Sequence, residues 1–171
     1  MRVLFTILSS LILGAILGAP ARAAEPELSL TVSIAKDGVK AGAEVRLRIL
    51  LTNLTDHQIQ IGRLLHPLGQ ENEYSFDVRD NQGRKVPLTR YGRAVNGTPD
   101  KGDEGQSCGD CSGFGQDLDP HEKVTDEIVI SKIYDLTKPG RYTIQVGRPH
   151  RVSRESETII KSNTITLTIG D

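Results

Sequence analysis

Two cysteines lie three positions apart in this chain, at Cys108 and Cys111, in the sequence Cys-Gly-Asp-Cys. A disulfide between them would close a very small loop, so its main effect would be to stiffen that loop. A thioredoxin-like redox role requires the first cysteine at a helix N-terminus, and the Ser-Gly-Phe-Gly that follows is a poor helix start. Zinc would need two further ligands, and neither His66 nor His121 stands at a motif spacing. The disulfide is therefore our leading interpretation, with redox and metal-binding roles as alternatives.

The two cysteines belong to a glycine-rich, acidic stretch, residues 92–122, that shows no hydrophobic periodicity. A connection this long is uncommon in a compact domain and is usually either functional or disordered. Calcium would require several oxygen ligands converging from one loop, and the spacing here does not match the EF-hand pattern. A solvated acidic loop is the leading interpretation and calcium the alternative. The residues that we expect to serve recognition in this loop are Asp100, Asp103, Asp110, Phe114, Asp117 and Asp119.

A second charged stretch, residues 148–157, carries Arg148, His150, Arg151 and Arg154. Arginine binds carboxylates and phosphates through two parallel hydrogen bonds, so anion recognition is one hypothesis for this stretch. A solvated loop that maintains solubility is the alternative. Loops at the ends of a β-sandwich are common recognition sites, and we predict that this loop and residues 92–122 form the recognition surfaces.

Motifs of hydrolytic and nucleotide chemistry do not occur in the sequence. There is no G-x-S-x-G, no H-E-x-x-H and no glycine-rich phosphate-binding loop between a strand and a helix. The four histidines fall near predicted strand ends or in loops, where a solvated histidine is the simpler interpretation. We therefore expect a protein that is not an enzyme and that needs no cofactor and no metal ion.

The first 23 residues have the layout of a secretory signal peptide. Arg2 supplies a positive start, residues 3–17 are almost entirely apolar, and Ala-Arg-Ala ends at Ala23 as a small-x-small cleavage site. Residues 24–171 would then form one exported domain, secreted or periplasmic in a bacterium, where an oxidising environment favours the disulfide. No later apolar segment approaches the ~20 residues of a membrane span.

The overall charge limits the class of partner. Cleavage after Ala23 removes Arg2 and Arg22 but no acidic residue, so the formal net charge changes from −1 to −3. Nucleic acid binding depends on a concentrated basic surface, which this composition lacks. The expected partner is another protein or a component of the cell envelope, and the sequence does not predict an oligomeric state.

Alternating apolar residues predict the elements that must position these loops. The alternation recurs in short segments at residues 28–34, 45–51, 59–61, 74–78, 86–88, 124–133, 142–146 and 165–169. Pro87 marks its segment as an edge or irregular strand. No segment repeats apolar residues at helical spacing over ~11 residues. Seven to eight short strands predict an all-β fold, an antiparallel immunoglobulin-like sandwich with one long acidic, glycine-rich loop.

One turn is specific for that fold. Leu136 and Tyr142 flank Pro139-Gly140 at the spacing of the corner that closes one end of an immunoglobulin-like sandwich. In that corner a tyrosine hydroxyl bonds back to the backbone a few residues upstream. These four residues are therefore predicted to be structural.

Three segments resemble a group of exported bacterial immunoglobulin-like domain proteins: YSFDVRD from Tyr74, YDLTKPGRYTIQV from Tyr134, and KSNTITLTI from Lys161. More distantly, the plan is similar to bacterial sandwich-type proteinase inhibitors. The resemblance implies the sandwich and identifies no functional residue. Three hypotheses follow: an exported binding module with its two loops as recognition surfaces, a protease inhibitor that presents a loop stiffened by the two cysteines, or a metal-binding accessory protein that uses residues 100–122.

Overall fold

The structure is a computed structural model that describes residues 26–65, 70–102, 112–151 and 157–171. In this part of the chain there are nine strands: β1 (Leu28–Ile34), β2 (Gly38–Lys40), β3 (Arg46–Asn53), β4 (Ile59–Leu65), β5 (Ser75–Arg79), β6 (Ser112–Leu118), β7 (Lys123–Val129), β8 (Gly140–Arg151) and β9 (Glu157–Gly170). Two short helices, α1 (Arg90–Val95) and α2 (Ile130–Ile133), and one 3-10 turn (Gln70–Glu73) accompany them. None of the described helices is long and apolar enough to cross a membrane.

The strand order confirms the predicted fold class. One sheet has the order β1-β3-β7 and the other the order β2-β9-β8-β5, while β4 and β6 pair with each other. The first order matches strands A-B-E of an immunoglobulin domain, and β9-β8-β5 matches G-F-C. All of these pairs are antiparallel except β2–β9, which is a short parallel pair at the edge of the second sheet.

The core lies between the two sheets and is built from the alternating apolar residues. In β3, for example, Leu47, Ile49 and Leu51 are buried, whereas Arg46 and Arg48 are exposed. Successive side chains of a strand point to opposite faces, so alternation gives each strand one apolar face. Ile144 of β8 and Leu167 of β9 supply buried side chains from the opposite sheet.

The predicted corner is present in the structure. The Tyr142 hydroxyl donates a hydrogen bond of 2.7 Å to the carbonyl of Lys138, four residues upstream. Tyr142 and Leu136 are both buried, at the start of β8 and in the turn before it. The corner therefore closes the sandwich at the end where β8 begins.

Two predicted segments differ from the structure. Residues 112–118 lie in the stretch interpreted as an irregular loop, yet they form β6 and pair with β4 over seven positions. The loop prediction failed because Gly-Phe-Gly carries no alternation of its own, and this strand depends on its partner. Residues 86–88 form no strand, and the chain there makes only the isolated bridges Arg79–Lys85 and Leu88–Tyr134.

The last hairpin is longer than predicted. β8 continues to Arg151 and β9 begins at Glu157, so much of the predicted charged loop belongs to a paired ladder. A bulge between Gln145 and Gly147 lets the ladder continue past the point where the alternation of the sequence breaks. The predicted strand 124–133 also ends early, at Val129, because α2 occupies residues 130–133.

An arm formed by β4 and β6 extends the β3–β7 ladder. β3 leads through residues 54–58 into β4, and β6 leads through residues 119–122 into β7. At the junction the fully buried Asn53 donates through Nδ2 to the carbonyls of His57 (2.8 Å), Leu118 (3.2 Å) and Asp119 (3.0 Å). Its Oδ1 accepts from the backbone and hydroxyl of Thr55. One amide side chain therefore satisfies the polar groups of the kink on both strands.

Candidate functional site: the β4–β6 arm and its buried ionic anchor

A buried ion pair connects the arm to the first sheet. Arg63 of β4 donates from Nη1 to Asp126 Oδ2 (2.7 Å) and from Nη2 to Asp126 Oδ1 (2.8 Å). Both side chains are almost completely shielded from solvent. The two parallel bonds hold the planar guanidinium and carboxylate in a single geometry, which attaches β4 to β7.

A second arginine extends the cluster to the other sheet. Glu73 Oε2 accepts from Nη1 of Arg63 (2.9 Å) and from Nη1 of Arg148 on β8 (2.8 Å). Glu73 Oε1 accepts from the backbone N–H of Leu64 (2.8 Å), and Arg148 Nη2 donates to the carbonyl of Gly62 (2.6 Å). We call Arg63, Glu73, Asp126 and Arg148 the ionic anchor.

Tyr74 packs against the ionic anchor and completes it. Its hydroxyl donates to Asp126 Oδ2 (2.5 Å), and the Arg148 guanidinium carbon lies 5.1 Å from the centre of its ring. Burial, which disfavours the charged phenolate, raises the pKa of Tyr74 far above its ordinary value. Tyr74 therefore stays neutral and remains a donor to Asp126.

The electrostatics of the ionic anchor favour the charged forms of Arg63 and Asp126. The hydrogen bond to Asp126 raises the pKa of Arg63 above its ordinary value. Burial opposes ionisation of Asp126, but the hydrogen bonds from Arg63 and Tyr74 outweigh it and lower the pKa of that carboxyl. Two cations and two anions balance, and no buried side-chain polar atom in the described part of the chain lacks a partner. A balanced, saturated cluster suits anchoring better than catalysis, which needs a group free to react.

An open cleft of about 660 Å³ lies above the ionic anchor, between the arm and the end of the β8–β9 hairpin. Gly62, Gly113 and Gly115 contribute only backbone to its lining, and Phe114 contributes an aromatic ring whose residue is 46 % exposed. Pro149 and Glu157 line the cleft from the hairpin side. The cleft therefore combines exposed peptide groups with one exposed ring.

Arg148, a candidate recognition residue of the predicted charged loop, is buried. It is 3 % exposed, and its guanidinium donates hydrogen bonds to the Glu73 carboxylate and the Gly62 carbonyl. The loop placement was wrong at this position, because the β8–β9 ladder extends past residue 148 and directs this side chain into the interior. His150 also lies within β8, where its ring is largely shielded and stands 3.7 Å from Glu27.

The acidic recognition residues are dispersed. Asp100 forms an ion pair with Arg93 (2.6 Å), and this hydrogen-bonded pairing lowers the pKa of Asp100. Asp117 and Asp119 accept hydrogen bonds from Gln60 and Gln58 along the arm. The described residues contain no group of three or more His, Cys, Asp or Glu side chains that could hold a metal ion.

Several predicted residues fall outside the described part of the chain. These are Cys108, Cys111, Asp103, Asp110 and Arg154, and the side chain of Arg151. The disulfide and both of its alternatives therefore stay predictions. Of the candidate recognition residues, the structure brings Phe114 and Arg148 to one place, the cleft.

Sequence reasoning missed the other members of the ionic anchor, although two of them left a signal. Arg63 continues the inward series Ile59, Ile61, and Asp126 precedes Ile128 with the same period. A charge at an inward position of an alternating strand indicates a buried ion, and two of opposite sign indicate a pair. Glu73 gave no such signal because it lies in a 3-10 turn.

The comparisons with known proteins found only distant structural similarities. No protein-family model matches the chain, and no curated protein matches it. A CARDB domain from Pyrococcus furiosus, solved in complex with di-metal ions, is similar over 85 % of this chain and 89 % of its own, at 11 % identity and a TM-score of 0.40. A human ASH/PapD-like domain is similar over 91 % of this chain and 92 % of its own, at 14 % identity and a TM-score of 0.32.

The class that the fold defines is thus an immunoglobulin-like β-sandwich domain, established by the strand order and the tyrosine corner. At TM-scores below 0.5 the two similar structures carry no argument about ligands. The finer resemblance to exported bacterial proteins stays a prediction.

Proposed function

We propose that this chain is an exported, non-enzymatic interaction module that recognises a partner protein with the β4–β6 arm. The observation that carries the proposal is the contrast between two residues that pair across the arm. Arg63 is held by a saturated buried cluster, whereas Phe114, opposite it in the ladder, is exposed next to an open cleft. Rigid support beside an exposed aromatic side chain is the arrangement expected of a binding surface.

Preorganisation is the physical benefit of this support. A segment that is already ordered loses less conformational entropy when it binds. The ionic anchor joins β4 to β7, to β8 and to the residue that ends the 3-10 turn, so the arm cannot shift without breaking charged hydrogen bonds. Buried ion pairs contribute little net stability compared with apolar packing, which favours a positioning role for this one.

Export is part of the proposal and is supported by the sequence of residues 1–23. Expression of the full chain followed by cell fractionation should place the protein outside the cytoplasm. N-terminal sequencing should begin at Ala24. Intact protein in the cytoplasm that begins at Met1 would contradict export but would not contradict the proposed binding role.

The binding role is tested by replacing Phe114 with the photo-crosslinking residue p-benzoylphenylalanine in cells of the source organism. Leu54 provides the matched control because it is a large apolar residue with the same exposure, 45 % against 46 %, located at the kink where the arm begins. A partner should crosslink from position 114 and not from position 54.

Purified partner then allows a quantitative measurement. Phe114→Ala should raise the dissociation constant roughly tenfold or more, as truncation of an aromatic anchor commonly does, whereas Leu54→Ala should leave it unchanged. Equal crosslinking from both positions, or equal affinity of both variants, would reject the arm as the recognition surface.

The other two functions rest on residues outside the described part of the chain. Protease inhibition requires the loop that carries Cys108 and Cys111, and metal binding requires residues 100–122, of which residues 103–111 are not described. An inhibition panel against broad-specificity proteases tests the first. Melting curves with and without a chelator test the second.

A further inference from the structure

The outer edge of β4 is occupied by side chains of the ionic anchor. Glu73 Oε1 accepts from the N–H of Leu64, and Arg148 Nη2 donates to the carbonyl of Gly62. These backbone groups therefore point away from β6. In an antiparallel pair, residues alternate between those whose N–H and C=O groups bond to the partner strand and those whose groups point outward. Gly62 and Leu64 belong to the second kind.

The register of the arm assigns the same property to β6. Gly62 pairs with Gly115, and Leu64 pairs with Gly113. Both members of a non-hydrogen-bonded pair direct their backbone groups away from each other. The N–H and C=O groups of Gly113 and Gly115 therefore point to the outer edge of β6, two residues apart, at the repeat of a β-ladder.

This edge has no partner among the residues that the structure describes. β6 pairs there only with β4, and no other described backbone group bonds to Gly113 or Gly115. Proteins commonly protect a free edge with lysine, proline or a bulge. The strand Ser-Gly-Phe-Gly-Gln-Asp-Leu has neither lysine nor proline, and its register runs without a shift. With no side chain at positions 113 and 115, an approaching backbone meets little steric obstruction.

The charges beside this edge indicate what would approach it. Asp117 is the one charged residue of β6, and Asp119 follows the end of the strand. Both are exposed, and neither forms an ion pair within the described ranges. Because β6 has no basic residue, the strand and its end carry only negative charge. A second copy of this chain would bring like charges together, whereas a basic segment would be attracted.

We propose that β6 binds an extended, basic segment of the partner protein as an added β-strand, paired through the backbone groups of Gly113 and Gly115. This inference rests on the proposed function for the existence of a protein partner and specifies how that partner is held. Main-chain hydrogen bonds supply the affinity in this binding mode, and side chains such as Phe114 supply selectivity.

A phage-displayed library of random dodecapeptides, selected against residues 24–171, supplies the probe. Peptides with alternating Lys or Arg should emerge. The best peptide is then synthesised in three forms: unmodified, N-methylated at alternate residues, and with glutamate in place of its basic residues. N-methylation removes the backbone donors of one edge without altering this protein, and it should weaken binding roughly tenfold or more. Glutamate substitution should weaken binding as well.

Two variants at one position test the edge itself. Gly115→Pro removes an N–H that β4 does not use and places a ring on the free edge, so binding should be lost. Gly115→Ala is the matched control, because it adds the same Cβ, 2.6 Å from Cδ of the exposed Gln60 side chain, which must move aside in both variants, but it keeps the N–H. The alanine variant should bind like the wild type.

Four outcomes would overturn strand addition: no peptide selected, a best peptide whose N-methylated form binds as well as the unmodified form, binding unaffected by glutamate substitution, or equal binding by the proline and alanine variants. Dimerisation of the wild type in sedimentation experiments that disappears in Gly115→Pro would assign the edge to a second copy of this chain.

The two proposals can fail separately. If the cellular partner crosslinks at position 114 and still binds Gly115→Pro, the interaction module stands and strand addition fails. If crosslinking fails while peptide binding depends on backbone donors, the edge is functional and the cellular assignment is wrong.

Discussion

Arg63 and Asp126 form a two-pronged ion pair, with bonds of 2.7 Å and 2.8 Å, between an arm strand and a sheet strand of this sandwich. The pair is shielded from solvent and shared with Glu73, Tyr74 and Arg148. Its members come from both sheets and from the arm, so it fixes the position of the arm relative to the whole domain. The ion pair therefore holds in place the free edge of β6 and the exposed ring of Phe114.

Replacing Asp126 should leave two buried arginines, Arg63 and Arg148, to share the single carboxylate of Glu73. Asp126→Ala is expected to lower the free energy of unfolding by about 3–5 kcal/mol, measured by urea denaturation. Glu127→Ala is the matched control, since Glu127 is the next residue of β7 and forms an exposed pair with Arg48. Its expected cost is below about 1 kcal/mol. Similar costs for the two variants would mean that the ionic anchor does not hold the fold.

Acid should release the ionic anchor. The pKa of Asp126 is lowered in the folded protein from its ordinary value of 3.8. Its stabilisation is therefore fully present above that ordinary value and is lost as the pH falls through the lower, folded-state pKa. The free energy of unfolding of the wild type minus that of Asp126→Asn, measured from neutral pH into this acid range, should shrink as the pH falls. Other carboxyls titrate in both proteins, so a difference that stays constant would contradict the prediction.

The kink between the β3–β7 ladder and the arm should depend on one amide. Asn53→Ala would leave the buried carbonyl of Leu118 without the Asn53 donor and would also remove bonds to His57 and Asp119. We expect a cost of about 2–3 kcal/mol and faster hydrogen exchange of the amides in β4 and β6. Gln58→Ala removes only an exposed bond to Asp119 and should change neither quantity appreciably. Unchanged exchange in Asn53→Ala would exclude this residue as the support of the kink.

The contact between the two short helices should tolerate no side chain at Gly92. A Cβ at this position would lie 2.0 Å from the carbonyl oxygen of Ile133, which is backbone and cannot move aside. Gly92→Ala should therefore destabilise the domain by roughly 2 kcal/mol or more, despite the better helix propensity of alanine. Gly38→Ala, whose Cβ would meet nothing within 4 Å, is the control in thermal denaturation. A melting temperature of Gly92→Ala equal to that of Gly38→Ala would show that the helices can separate without cost.

Much of the scaffold could be predicted from the sequence because its determinants are local. The alternation in β1 and β3 follows from the pleat of a strand, which gives each strand one apolar face whatever its partner. The turn between Leu136 and Tyr142 is specific because its tyrosine bonds to a carbonyl only four residues away. Local signals of this kind establish the fold class and the identity of the strand that follows the corner.

The arm and its anchor were decided by tertiary structure. Gly-Phe-Gly becomes β6 because β4 offers it a ladder, not because of any preference of its own. Arg148 is buried because the β8–β9 ladder continues beyond a bulge and because Glu73, 75 residues earlier, lies in reach of it. The inward positions of Arg63 and Asp126 could be read from alternation, but their pairing spans 63 residues. By itself, then, the sequence determined which face of each strand is apolar. The tertiary structure decided where charge is buried and which strand edge is left open, because the pairing of distant strands depends on the packing of the whole chain.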